Sequence, residues 1–148
     1  MTGDFPYHLL HPALVHFAVA FLAAGAGAEG WGILARREAV ERFGSVLVPV
    51  GTLLLLPTVA TGWLAANTVD LPPGASADLA RHETFGLATA VWFLGLLFWR
   101  GWEGGTIGGS RRVAYALLVL AGAVLVTATA FLGGELVYGH AVGVGGLP

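Results

Sequence analysis

Five histidines carry the chemistry this chain could do: His8, His11, His16, His82 and His140. A neutral imidazole ligates metal ions through either ring nitrogen, so a convergent set of histidines is a candidate metal or cofactor site. All five fall at one end of the apolar segments, whereas Arg36, Arg37, Arg42, Arg100, Arg111 and Arg112 fall at the other. The chain has no cysteine, which excludes thiolate ligands, cysteine-held iron–sulfur clusters and covalent c-type haem attachment. Any metal must be held by nitrogen or oxygen.

The elements that position these residues follow from composition. Of 148 residues, 56% are hydrophobic and 11% charged, with a mean hydropathy of +0.77, far from a soluble domain and characteristic of an integral membrane protein. This length accommodates about four spans of roughly 20 residues with short loops and no large soluble domain. The expected fold is all-α, a single transmembrane four-helix bundle over the whole chain. Helices are expected from Pro12 to about Ala35, Ser45 to Ala66, Ala77 to Trp99 and Arg111 to Tyr138. Pro12 suits a first helical turn. Pro49 and Pro57 fall inside the second helix, where each frees a backbone carbonyl that a neighbour must satisfy. The first segment lacks a basic region and a small-residue cleavage site, and reads as a retained span rather than a signal peptide. No internal repeat stands out, although the first and third helices both open with histidine. A net charge of −2 without a basic run argues against a nucleic-acid partner.

Arginine-rich short loops stay in the cytoplasm, so only Arg81 faces the other side, and both termini and all histidines are expected on the periplasmic side of a bacterial inner membrane. At a helical rise of 1.5 Å per residue, His16 stands about 30 Å above Arg36 and His82 about 27 Å above Arg100. Gly62, Gly133 and Gly134 fall near that level and leave room between helices. Imidazoles on separate helices beside side-chain-free neighbours suit bis-histidine haem b. Each residue also has a plainer reading. His8, the weakest candidate, suits a membrane boundary, His11 a helix start beside Pro12, and His140 a helix C-terminus. The glycines suit close helix packing. Ionisable residues inside spans mark function more often, which favours His16 and His82. Glu135 suits a hydrogen bond to a ligand imidazole. Arg81 can pair with a haem propionate or neutralise Asp78, and Glu29 is expected to pair with a loop arginine, with protonation and a proton relay as its other readings.

Several motifs carry a family resemblance: His11-Pro12-Ala13-Leu14-Val15-His16-Phe17, Thr61-Gly62-Trp63, Arg81-His82-Glu83 with Gly86, and Gly133-Gly134-Glu135-Leu136-Val137-Tyr138-Gly139-His140-Ala141-Val142-Gly143-Val144. Over its whole length the chain resembles the bacterial membrane family called domain of unknown function 2231. That resemblance implies a four-helix membrane protein whose family histidine positions correspond to His11, His16, His82 and His140. The family tail usually reads His-Gly-Val-Gly-Val, and here Ala141 replaces its first glycine.

The expected function is a membrane-embedded electron-transfer subunit carrying one or two b-type haems, not an enzyme on its own. His16 with His82 is the preferred axial pair and His11 with His140 the second, with His11 and His82 a further pairing that spacing allows. Expected partners are lipid, a quinone, and periplasmic or membrane electron-transfer proteins, within a larger respiratory or photosynthetic complex. The alternatives are a protein that binds or transports zinc, copper or non-haem iron through the same histidines with Glu135 and Glu83, and a purely structural assembly subunit.

Overall fold

The computed structural model describes residues 9–144, so His8 lies outside the described residues. Four helices follow in order: α1 (Leu10–Leu34), α2 (Glu38–Ala66), α3 (Ser76–Trp102) and α4 (Arg111–Tyr138). There is no strand among the described residues. All four helices are long and apolar enough to cross a membrane, and their outer faces stay apolar, as Phe98, Val124, Phe131 and Leu117 show. A bundle that is apolar outside as well as inside is built for lipid.

The helices differ from the sequence expectation mainly at the arginine end. α2 starts at Glu38 rather than Ser45, because the connection from α1 needs only Ala35, Arg36 and Arg37, with Arg36 in the left-handed region at φ 56°. Glu38 and Glu41 then occupy the first turn of α2, where carboxylates complement the helix dipole. The helical periodicity there is charged, and reads from sequence as loop.

Each helix packs on two others, α1 on α2 and α4, and α3 on α2 and α4. The result is an up-down-up-down square with α1 diagonal to α3 and α2 diagonal to α4. Glycines set the closest approaches: a Cβ at Gly25 would stand 2.7 Å from Leu47 Cβ, and one at Gly51 would stand 2.8 Å from Leu22 Cγ. Without Cβ atoms the helix backbones come close enough for van der Waals contact, the main source of helix association in lipid.

A repeat that did not stand out in the sequence is plain in the packing. Buried Leu22 of α1 fills the space at Gly51 of α2, and buried Phe93 of α3 fills the space at Gly122 of α4. Phe93 follows Leu22, and Gly122 follows Gly51, by the same 71 residues that separate Glu29 from Arg100. Ala18 and Thr89, Val48 and Val119, Leu55 and Val126, and Thr58 and Thr129 are buried pairs at that same offset. The second hairpin therefore buries many of the positions that the first one buries, most closely in the middle of the bundle. Substitutions such as Leu22 for Phe93 hide this in the letters.

Candidate functional site

His11 and His82 meet in the bundle. Their helices are diagonal, yet the rings are 6.2 Å apart centre to centre at an interplanar angle of 75°. Each ring is half-buried and anchored in the same way. Nδ1 of His11 donates to the backbone carbonyl of Thr58 at 2.9 Å, and Nδ1 of His82 donates to that of Thr129 at 3.2 Å. Both bonds span 47 residues. A carbonyl can only accept, so Nδ1 carries the proton in both rings, and in the neutral imidazole Nε2 then holds the free lone pair. Neither Nε2 has a hydrogen-bond partner among the described residues.

Gly62 and Gly133 lie one helical turn beyond those carbonyls and make room for the rings. A Cβ at Gly62 would stand 2.8 Å from Cε1 of His11, and one at Gly133 would stand 2.9 Å from Cε1 of His82. The space read from sequence as room for a flat group is thus taken at these two glycines by the imidazoles. Gly134 has only Tyr138 near it, at 4.0 Å. Below His82, Oγ1 of Thr129 pairs with Oγ1 of Thr89 at 2.8 Å, tying α4 to α3 beneath the ring.

The other sequence candidates are placed differently. His16 is exposed on α1, with Nδ1 bonded to the Pro12 carbonyl one turn back. The structure therefore does not bring His16 to His82, nor His11 to His140. His140 is held by Asp78, Nε2 to Oδ2 at 2.9 Å, and Arg81 donates to the other oxygen of Asp78 at 3.2 Å. Arg81 thus neutralises Asp78, the plainer of its two readings. Glu135 is exposed at the end of α4, its Oε1 beside Gly139 rather than on an imidazole. Two apolar grooves on the outside of α3 and α4, about 680 and 530 Å³, are lined by residues such as Phe85 with Phe131 and Val91 with Trp99. No charged side chain lines them.

A second polar cluster closes the arginine half. Glu29, 3% exposed, accepts from Nη1 of Arg100 at 2.9 Å and from the hydroxyl of Tyr115 at 3.4 Å. Arg100 also donates to the carbonyls of Ser45 at 3.2 Å and Gly105 at 2.8 Å. The Ser45 carbonyl is the one that Pro49 cannot satisfy four residues on, so the orphan expected from sequence is met by Arg100. Glu29 does pair with an arginine, from the last turns of α3 rather than from a loop.

Sequence reasoning missed Thr58 and Thr129 because the contribution is a backbone carbonyl, which leaves no mark in a side-chain inventory. The signal was present as spacing: a histidine, then after 47 residues a threonine, then a glycine one turn on, twice over.

The family model described as predicted membrane protein (DUF2231) matches residues 7–146. No curated protein and no solved structure matches the chain.

Proposed function

Given that the chain belongs to the DUF2231 family of membrane proteins, we propose that it binds one b-type haem through His11 and His82 and acts as an electron-transfer subunit. The observation that carries this reading is the His11–His82 pair, with both Nδ1 protons held by carbonyls and both Nε2 lone pairs free. Two imidazoles on opposite sides of one metal ion, each nitrogen about 2 Å from it, put the ring centres about 6 Å apart. The 6.2 Å between the two ring centres is compatible with that spacing, as it is with plain edge-to-face packing of the rings.

The donor set also favours a cofactor that brings its own ligands. No group of three or more His, Asp or Glu side chains converges among the described residues, whereas a zinc or non-haem iron centre takes three or four protein ligands. Haem iron needs two. When bound, it supplies reversible one-electron chemistry tuned by its axial ligands and surroundings. The chain's own part is to fix both tautomers through Thr58 and Thr129 and to wall the site with apolar helices. With the arginine-rich loops cytoplasmic, the site lies toward the periplasmic side of a bacterial inner membrane. There it is placed to exchange electrons with a quinone or a periplasmic or membrane carrier, within a larger complex.

The test is a visible spectrum and metal analysis of the protein purified from membranes with adequate haem supply. The proposal expects a reduced b-type absorption band and iron equimolar with the chain. A colourless protein with stoichiometric zinc or copper, or with no metal at all, contradicts it.

A further inference from the structure

The equivalent positions of the two hairpins touch one another. His11 meets His82 at the histidine end, Glu29 meets Arg100 in the opposite half of the bundle, and Glu41 meets Arg112 across the other diagonal. Each pair is separated by 71 residues. Two positions related by one repeat contact each other only where both lie close to the axis that relates the copies. Both hairpins start at the histidine end and return to it, so that axis runs along the bundle.

We propose that the chain is a tandem pair of equivalent two-helix units related by a half-turn about the bundle axis. In it, the opposite charges at positions 29 and 100, and at 41 and 112, form the recognition code that makes unlike units pair. Both carboxylates of the code belong to the first unit and both guanidinium groups to the second. Pairing of two first units would set Glu29 against Glu29 and Glu41 against Glu41, and pairing of two second units would set arginine against arginine. Like charges in contact are disfavoured, strongly at the buried positions 29 and 100 and weakly at the partly exposed positions 41 and 112. The interaction surface of each unit is therefore built for the other unit, not for a copy of itself. This inference does not depend on what the histidine end binds.

Equivalence has a specific consequence for Arg100. Its carbonyl acceptors, Ser45 and Gly105, correspond to Ala116 and Leu34 around position 29. The Ala116 carbonyl already lies beside that position, 3.1 Å from where a Cβ on Gly30 would stand. The counterpart of Pro49 is Leu120, whose N–H already bonds that carbonyl within α4, so an arginine placed at 29 would share it rather than take a free acceptor. The match is incomplete on the carboxylate side, because the counterpart of Tyr115 is Gly44 and no hydroxyl would meet a glutamate at 100.

The experiment is a charge swap in the full-length chain, read by thermal unfolding and gel filtration in detergent. Glu29→Arg and Arg100→Glu singly should each lower the unfolding midpoint by about 10 °C or more, or abolish the monodisperse species. The double variant Glu29→Arg/Arg100→Glu should recover at least half of that loss. The more exposed pair gives the same pattern on a smaller scale: single reversals at Glu41 and Arg112 lower the midpoint by a few degrees, roughly as for partly exposed pairs, and the swap restores it. Recovery in both swaps is the expected result. A swap at either pair that is no more stable than its worse single variant overturns the proposal, as do single reversals without loss.

Discussion

His11 and His82 face each other across the diagonal of the bundle with ring centres 6.2 Å apart, each held by a threonine carbonyl from the helix that follows it. Neither ring is placed by its own helix alone. Each is oriented by the hairpin to which it belongs, and the two hairpins bring the rings together.

The glycines under the rings give the first prediction. Gly62→Ala and Gly133→Ala put a Cβ 2.8 and 2.9 Å from the respective imidazole, so each ring must shift off its carbonyl. Overpacking of this kind costs about 1–3 kcal/mol. Thermal unfolding should show similar losses for both variants, with reduced haem content. Gly134→Ala, with open space at its Cβ, should show neither effect.

The buried ion pair gives the second. Arg100→Ala leaves the Glu29 carboxylate buried with only a long bond from Tyr115, and removing one partner of such a pair destabilises by about 3–5 kcal/mol. Tyr115→Phe removes only that long bond and should cost about 1 kcal/mol or less. Unfolding midpoints of the two variants should therefore differ widely. Equal, small losses would show that the cluster does not fasten the bundle.

The third concerns the turn after α4. Ala141 sits at φ 56°, a left-handed conformation that costs a residue with a Cβ about 1–2 kcal/mol. The family resemblance implies glycine at this position, and glycine adopts a left-handed φ without strain. Ala141→Gly should raise stability by about 1 kcal/mol, measured as an upward shift of the unfolding midpoint.

Much of this structure is legible in the sequence, and the remainder is hidden for identifiable reasons. Apolar length and arginine placement reveal four spans, and Pro49 announces an orphan carbonyl that Arg100 then satisfies. Counting residues along helices ranks His16 level with His82, but depth says nothing of rotation: His16 points outward while His11, slightly more than a turn earlier, points in. The partner of each paired ring is a backbone atom and leaves no side-chain signature. The repeat is hidden because its packing pairs conserve shape rather than letters, Leu22 on Gly51 against Phe93 on Gly122.

The outer polar cluster around Asp78 gives a fourth prediction. Asp78 holds both Arg81 and His140, with the carboxylate and imidazole each about a quarter exposed. Partly exposed pairs contribute about 1 kcal/mol or less. Asp78→Asn should lower the unfolding midpoint slightly and leave haem content unchanged, because neither His11 nor His82 uses this carboxylate. Loss of haem in this variant would place His140, not His11, at the centre.

The most direct test of the central claim is the reduced-minus-oxidised visible spectrum, with haem quantified per chain, of the purified protein and its His11→Ala, His82→Ala and His16→Ala variants. The prediction is one b-type haem per chain in the unsubstituted protein and in His16→Ala, and none in either of the other two. A haem signal that survives loss of both His11 and His82, one that disappears with His16 instead, or no haem in any sample would contradict it.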